Sequence, residues 1–253
     1  MSDEIEFVSL PPSPYGVKAK WALDYYGVTY KFTKYTPGIG ERWLRRKAGK
    51  KDGIVTIPVL FTPDGVLMDS FDIAQWADKH GKDNAGKKLF PDGQLQVISK
   101  WNRACDDVLE YGRAQIINKL KSDKGLRRQM MPPVLNSLGP LTDWLSSMMY
   151  SGIASKYDEL SKASSFAKTS AAFEQLREAI NSNNGYILGS FTYADIAMAV
   201  ACDRMEPLGS PYYEAPEVMR LPNIELKEKF ADLLQYRDRI FKEHFPNQNK
   251  QTP

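Results

Sequence analysis

Phe7-Val-Ser-Leu-Pro-Pro-Ser-Pro-Tyr-Gly-Val-Lys-Ala-Lys-Trp-Ala22 is the stretch that sets the architecture. Its first residues are apolar enough for a strand, prolines then punctuate a turn, and Pro14 opens a helix at the position where a missing N–H costs least. Ser13 stands just before that proline, at the N-cap, so the free amides of the first turn and the positive end of the helix dipole converge near its hydroxyl. Two readings of Ser13 stand side by side: a helix cap and nothing more, or a site for an anion or a thiolate.

Outward from this stretch, Ile5 to Leu10 reads as a strand and Pro14 to Tyr26 as a helix with Val17, Trp21 and Ala22 on one side, ended by Gly27. Val28 to Thr33 alternates apolar and polar residues, which predicts a half-buried second strand and a right-handed βαβ unit. Between Thr36 and Gly53 lie Trp43, Leu44, Arg45, Arg46, Lys47, Lys50 and Lys51. That basic segment reads as a solvated helix and loop, as a surface for a carboxylate or other anion, or as a contact for nucleic acid.

Ile54 to Phe61, the turn Thr62-Pro63-Asp64-Gly65 and Val66 to Met68 make an antiparallel hairpin. Pro58 is awkward there because it removes a ladder donor, so an edge, a bulge or a cis bond is expected at Ile57-Pro58. Asp69-Ser70 then opens a helix whose N-terminus also favours an anion. The polar, glycine-punctuated run from Gly81 to Lys88 places a boundary: residues 1–82 form one domain, 83–91 a linker and 92–253 a second domain.

Beyond Phe90-Pro91 only helical periodicity is found. Trp101, Cys105, Val108 or Leu109, Gly112, Ile116 and Leu120 form one stripe, Phe166, Phe173, Leu176 and Ile180 a second, and Leu226, Phe230, Leu233, Arg237, Ile240 and Phe241 a third. Met148, Met149 and Tyr150 are expected in the core of this all-α half. Thr192 and Asp195 stand three apart at the head of an apolar helix, a capping box with Asp in place of Glu, and are read as structural.

The chain has 253 residues, 42% of them hydrophobic and 26% charged, enough to build proper cores. A formal net charge of +3 gives no global electrostatic case for nucleic acid or an anionic membrane. The acidic start Met-Ser-Asp-Glu-Ile-Glu lacks the features of a secretory signal, and no window is apolar enough to span a bilayer, so a soluble, cytoplasmic protein is expected. Cys105 and Cys202 stand apart and fit apolar helix faces, and His80 and His244 cannot supply a zinc cluster, so no metal is expected.

Taken in order, the strand, the Ser-Pro-Tyr turn, Ile57-Pro58, Asp69-Ser70 and Thr192-Tyr193-Ala194-Asp195-Ile196 resemble the cytosolic glutathione transferases of the serine type over essentially the whole chain. The resemblance implies an α/β thioredoxin-like N-terminal domain that binds glutathione as co-substrate. It also implies an all-α C-terminal helical bundle lining a pocket for an electrophilic, largely apolar acceptor, and a homodimer. On that resemblance Ser13 donates to the glutathione sulfur and stabilises its thiolate, with Ser9 as the second candidate, where tyrosine-type members carry their hydroxyl. Ile57 and Pro58 present backbone to the cysteinyl part, Asp69 and Ser70 take the γ-glutamyl end, and Trp43, Lys47, Lys50 or Lys51 reaches the glycyl carboxylate. Tyr15, Tyr111, Arg113, Met130 and Tyr150 are the residues expected around the acceptor. No cysteine stands at position 13 or 16, so thiol–disulfide exchange by the protein is disfavoured. Glutathione transfer is the expected activity, with ether cleavage, dehalogenation or a non-catalytic carrier as alternatives.

Overall fold

A computed structural model of the chain describes residues 4–36, 40–52, 55–82, 86, 88–129, 131, 139–163, 165–215 and 219–246. Four strands, β1 (Glu6–Ser9), β2 (Lys31–Lys34), β3 (Val59–Thr62) and β4 (Gly65–Leu67), form one sheet in the order β2-β1-β3-β4. β2 runs parallel to β1 with Phe32 opposite Phe7, and β3 runs antiparallel on the other side with Val59 opposite Val8. β4 closes the hairpin with Leu67 opposite Leu60. With α1 (Pro14–Tyr25), α2 (Gly40–Lys47) and α3 (Ser70–His80) interleaved, this is a thioredoxin-like arrangement.

Among the described residues only helices follow: α4 (Leu95–Ser122), α5 (Lys124–Gln129), α6 (Pro140–Ala163), α7 (Phe166–Ser182), α8 (Tyr193–Cys202), α9 (Ile224–Phe230) and α10 (Asp232–His244). One continuous apolar core runs from Phe7, Trp21 and Ile73 through Ile98, Val108 and Phe173 to Ile196 and Phe241, so the sheet half and the helical half share it. Val8, Tyr35, Leu44, Val55 and Val59 form a smaller cluster against α2. None of these helices is long and apolar enough to cross a membrane.

Every residue of α8 is buried, as expected of a helix that is apolar on all sides. Its start is fixed by a capping box between Thr192 and Asp195. The Asp195 carboxylate, fully buried, accepts from the amides of Ile187 at 3.0 Å and Thr192 at 2.9 Å, the Thr192 hydroxyl at 3.1 Å and the Tyr236 hydroxyl at 3.0 Å. Asp195→Ala removes the cap and strands buried donors, and is expected to lower the unfolding free energy by about 2 kcal/mol in urea denaturation. An unchanged midpoint would mean that the cap is redundant.

Four expectations are corrected. β2 begins at Lys31 rather than Val28, because the end of α1 captures the intervening chain: Gly27 adopts a φ of 59° and the Val28 amide donates to the Leu23 carbonyl at 3.0 Å. β2 is also an edge strand, paired only to β1, and is mostly exposed rather than half-buried. β3 begins at Val59, after Pro58, and the Ile57-Pro58 bond is cis. Met148 is 55% exposed rather than in the core, on the same side of α6 as exposed Leu141 and Trp144. Of the expected linker, residues 83–85 and 87 lie outside the described residues.

Candidate functional site

The sheet register brings the three N-terminal motifs to one end. β3 starts opposite Val8, so Ile57-Pro58 lies level with Ser9 and the turn to α1. β4 ends opposite Leu60, so the chain leaves the sheet at that same end and enters α3 through Asp69 and Ser70. Two helix N-termini and the Ile57 backbone therefore lie at the end of the sheet where β1 finishes, and each helix N-terminus carries partial positive charge.

Ser13 is the N-cap of α1, with extended backbone, Pro14 as first helical residue and its Oγ accepting from the Gly16 amide at 3.4 Å. The turn is held by the Ser13 amide donating to the Leu10 carbonyl at 2.8 Å. Ser13 as a whole is half-buried. Ser9, by contrast, is 2% exposed, and its Oγ has no hydrogen-bond partner among the described residues. Asp69 caps α3 from an exposed position, accepting from the amides of Phe71 at 2.7 Å and Asp72 at 3.3 Å. Ser70 is buried, and its carbonyl accepts from the Tyr193 hydroxyl at 3.4 Å. Burial and the neighbouring Asp69 carboxylate raise the Asp72 carboxyl above its ordinary range.

The basic segment divides. Lys47 is ion-paired with Glu6, at the opposite end of β1 from Ser13, and its ammonium lies over the rings of Trp43 and Phe61 at 5.4 and 4.7 Å. Burial works against the Glu6 charge, but Lys47 and the Thr33 hydroxyl outweigh it and hold that carboxyl below its ordinary value. Lys50 and Lys51 follow the turn at Gly49 and are exposed. Trp43 is 41% exposed, its aromatic face covered by Lys47.

The acceptor residues do not come together. Tyr15 lies beside the Ser13 turn with the Arg113 guanidinium 5.3 Å from its ring centre, so these two share a place. Tyr111, two residues away on α4, points to the other side and lines a cavity of about 290 Å³ with Gln115, Arg204 and Asn223. Tyr150 packs under Arg127, and Met130 lies outside the described residues.

One group was not legible in the sequence. Lys18, on α1, is fully buried, and its Nζ donates to Asn102 Oδ1 at 2.9 Å and to Asp106 Oδ1 at 2.7 Å on α4, while Asn102 Nδ2 donates to Asp106 Oδ2 at 3.0 Å. Burial works against the ammonium, but the Asp106 carboxylate beside it holds it charged. Burial pushes the Cys105 thiol up to about 12 and the Cys202 thiol up as well, which makes both poor nucleophiles.

Residues 7–85 match the family model for the glutathione S-transferase N-terminal domain. No curated protein matches the sequence. Among solved structures, the chain is similar over 99% of its length to a glutathione S-transferase from Methylobacterium radiotolerans in complex with glutathione sulfonate, covering 98% of that chain at 16% identity with a TM-score of 0.59. A glutathione transferase from Phanerochaete chrysosporium matches over 98% of this chain and 100% of its own, at 16% identity and a TM-score of 0.59. The β-etherase LigF from Sphingobium matches over 94% of both chains at 16% identity, with a TM-score of 0.56. At these identities the likeness is one of fold.

Proposed function

We propose, from the match of residues 7–85 to the glutathione S-transferase N-terminal domain model, that the protein binds glutathione at the end of β1 and ionises its thiol beside Ser13. The resulting thiolate attacks an electrophilic, largely apolar acceptor. The observation that carries this reading is Ser13 as the N-cap of α1, where a hydroxyl donor and the positive helix end favour thiolate over thiol. Ile57 offers its backbone, and the N-terminus of α3, through Asp69 and Ser70, takes the charged γ-glutamyl end. Lys50 and Lys51 are the favoured partners of the glycyl carboxylate, since Lys47 is engaged by Glu6. Tyr15 and Arg113 border the acceptor.

In this reading residues 1–82 are the glutathione domain, 83–91 the connection and 92–253 the acceptor domain, in a cytoplasmic homodimer with a role in detoxification. The fold shared with a β-etherase supports one second reading, in which the same thiolate cleaves an ether. Calorimetric titration with glutathione, followed by thiol consumption with a generic electrophile, tests the proposal. Ser70→Ala is expected to weaken glutathione binding on the order of tenfold, because a hydrogen bond to a charged group is lost. Absence of glutathione binding by the unmodified protein overturns the reading, and binding without thiol consumption leaves a carrier.

A further inference from the structure

The first turn of α1 contains a glycine that its own backbone does not require. Gly16 is helical, and alanine is the better helix former at such a position. An ideal Cβ on Gly16 would lie 2.1 Å from Ser9 Oγ, while the other nearest atoms, Ser9 Cβ and the Leu10 carbonyl oxygen, stand at ordinary contact distances of 3.4 and 3.5 Å. The space that glycine leaves is therefore filled by one hydroxyl. That hydroxyl is buried and makes no hydrogen bond among the described residues, so hydrogen bonding does not explain where it sits.

We propose that the missing side chain of Gly16 lets the first turn of α1 close against Ser9 at the end of β1, and that Gly16 is thereby a positioning residue for thiol activation by Ser13. The link is direct: the amide that meets Ser13 Oγ at 3.4 Å belongs to Gly16. A shift of residue 16 away from β1 carries that amide, and the hydroxyl it orients, out of place. Ser9 then acts as a spacer and not as the thiol-activating group.

The inference rests on the proposed role of Ser13, and the experiment separates the two. Gly16→Ala, Ser9→Ala, the double variant and Ser13→Ala are prepared in the full chain. For each, the pH dependence of bound-glutathione thiolate absorbance, kcat and KM with a generic electrophile, and the thermal midpoint are measured. Gly16→Ala is expected to raise the bound thiol pKa toward the free value of about 8.5. It should lower kcat on the order of tenfold, a full ångström of misplacement being worth about a hundredfold. Ser9→Ala should stay within about twofold of the unmodified protein, and the double variant should return to that range, because the clashing oxygen is gone. A Gly16→Ala protein with an unchanged pH profile, or a double variant no better than Gly16→Ala alone, overturns the proposal. If Ser13→Ala leaves the thiol pKa unchanged, the role of Ser13 fails. A thermal deficit in Gly16→Ala that Ser9→Ala repairs would then still establish the close approach of residue 16 to the Ser9 hydroxyl, and its absence would refute it.

Discussion

Lys18→Met is expected to lower the unfolding free energy by about 3 kcal/mol at neutral pH, because it leaves a carboxylate without its cation at the joint between the two halves of the molecule. Lys18 is fully buried, and its two partners, Asn102 and Asp106, sit on α4. Methionine preserves most of the stem's packing, so the loss reports the charge rather than a cavity. The Asp106 side chain is 31% exposed, so water compensates in part, which puts the expectation at the lower end for broken buried pairs. Urea denaturation with a constant m-value is the measurement. A change below about 1 kcal/mol, the range of surface pairs, would show that the joint is held by apolar packing alone.

The pH dependence of that loss has a definite sign. Burial raises the Asp106 carboxyl above its ordinary value, and Lys18 opposes that rise. In Lys18→Met the opposition is removed and the folded-state pKa climbs further above the unfolded value of about 4. A raised carboxyl costs stability only where the unfolded chain is ionised, so the penalty is full at neutral pH and fades as pH falls through the raised pKa toward 4. The destabilisation should therefore be smaller at pH 5 than at pH 7. Adding Asp106→Leu to Lys18→Met should recover part of the loss, since an apolar pair is less costly than one stranded charge.

What the sequence made legible depended on how far apart the interacting residues are. The caps at Ser13, Asp69 and Thr192–Asp195 are local, set by residues within four of one another, and were read from spacing. Pro58 was legible as an anomaly because a proline inside a strand has few structural solutions. Lys18 was not, because its partners lie 84 and 88 residues away, and a lysine on an exposed face would look the same. Asn102 and Asp106, two polar residues one turn apart among Ile98, Cys105 and Leu109, were the available signal. Tyr111 and Arg113, two residues apart on α4, point about 200° apart, so Tyr111 lines a cavity while Arg113 lies over Tyr15, a separation that sequence proximity hides. Apolar residues such as Met148 suggest a buried face, and the exposure of Leu141, Trp144 and Met148 on one side of α6 is not legible from apolar content.

Ser13→Ala is expected to lower kcat for thiol transfer by about a hundredfold or more, the usual consequence of losing one donor to a developing anion. Glutathione affinity should change little, because the peptide is held mainly at α3 and Ile57 in the proposed site. The loss should be largest near pH 6.5 and shrink above about pH 9, where even an unassisted thiol ionises. Alanine also removes a helix cap, which by itself lowers stability by about 1 kcal/mol, so alanine alone confounds the two roles of this hydroxyl. Glycine separates them, because an N-cap glycine lowers stability by only a few tenths of a kcal/mol relative to serine while supplying no donor. Ser13→Gly should therefore unfold close to the unmodified protein and yet match Ser13→Ala in its raised thiol pKa and lost turnover. Ser13→Thr, which keeps a hydroxyl in a stiffer side chain, should retain more activity than either. If Ser13→Gly turns over normally, the serine before Pro14 is only a cap, and the thiolate must be stabilised by the helix N-terminus without a side-chain donor.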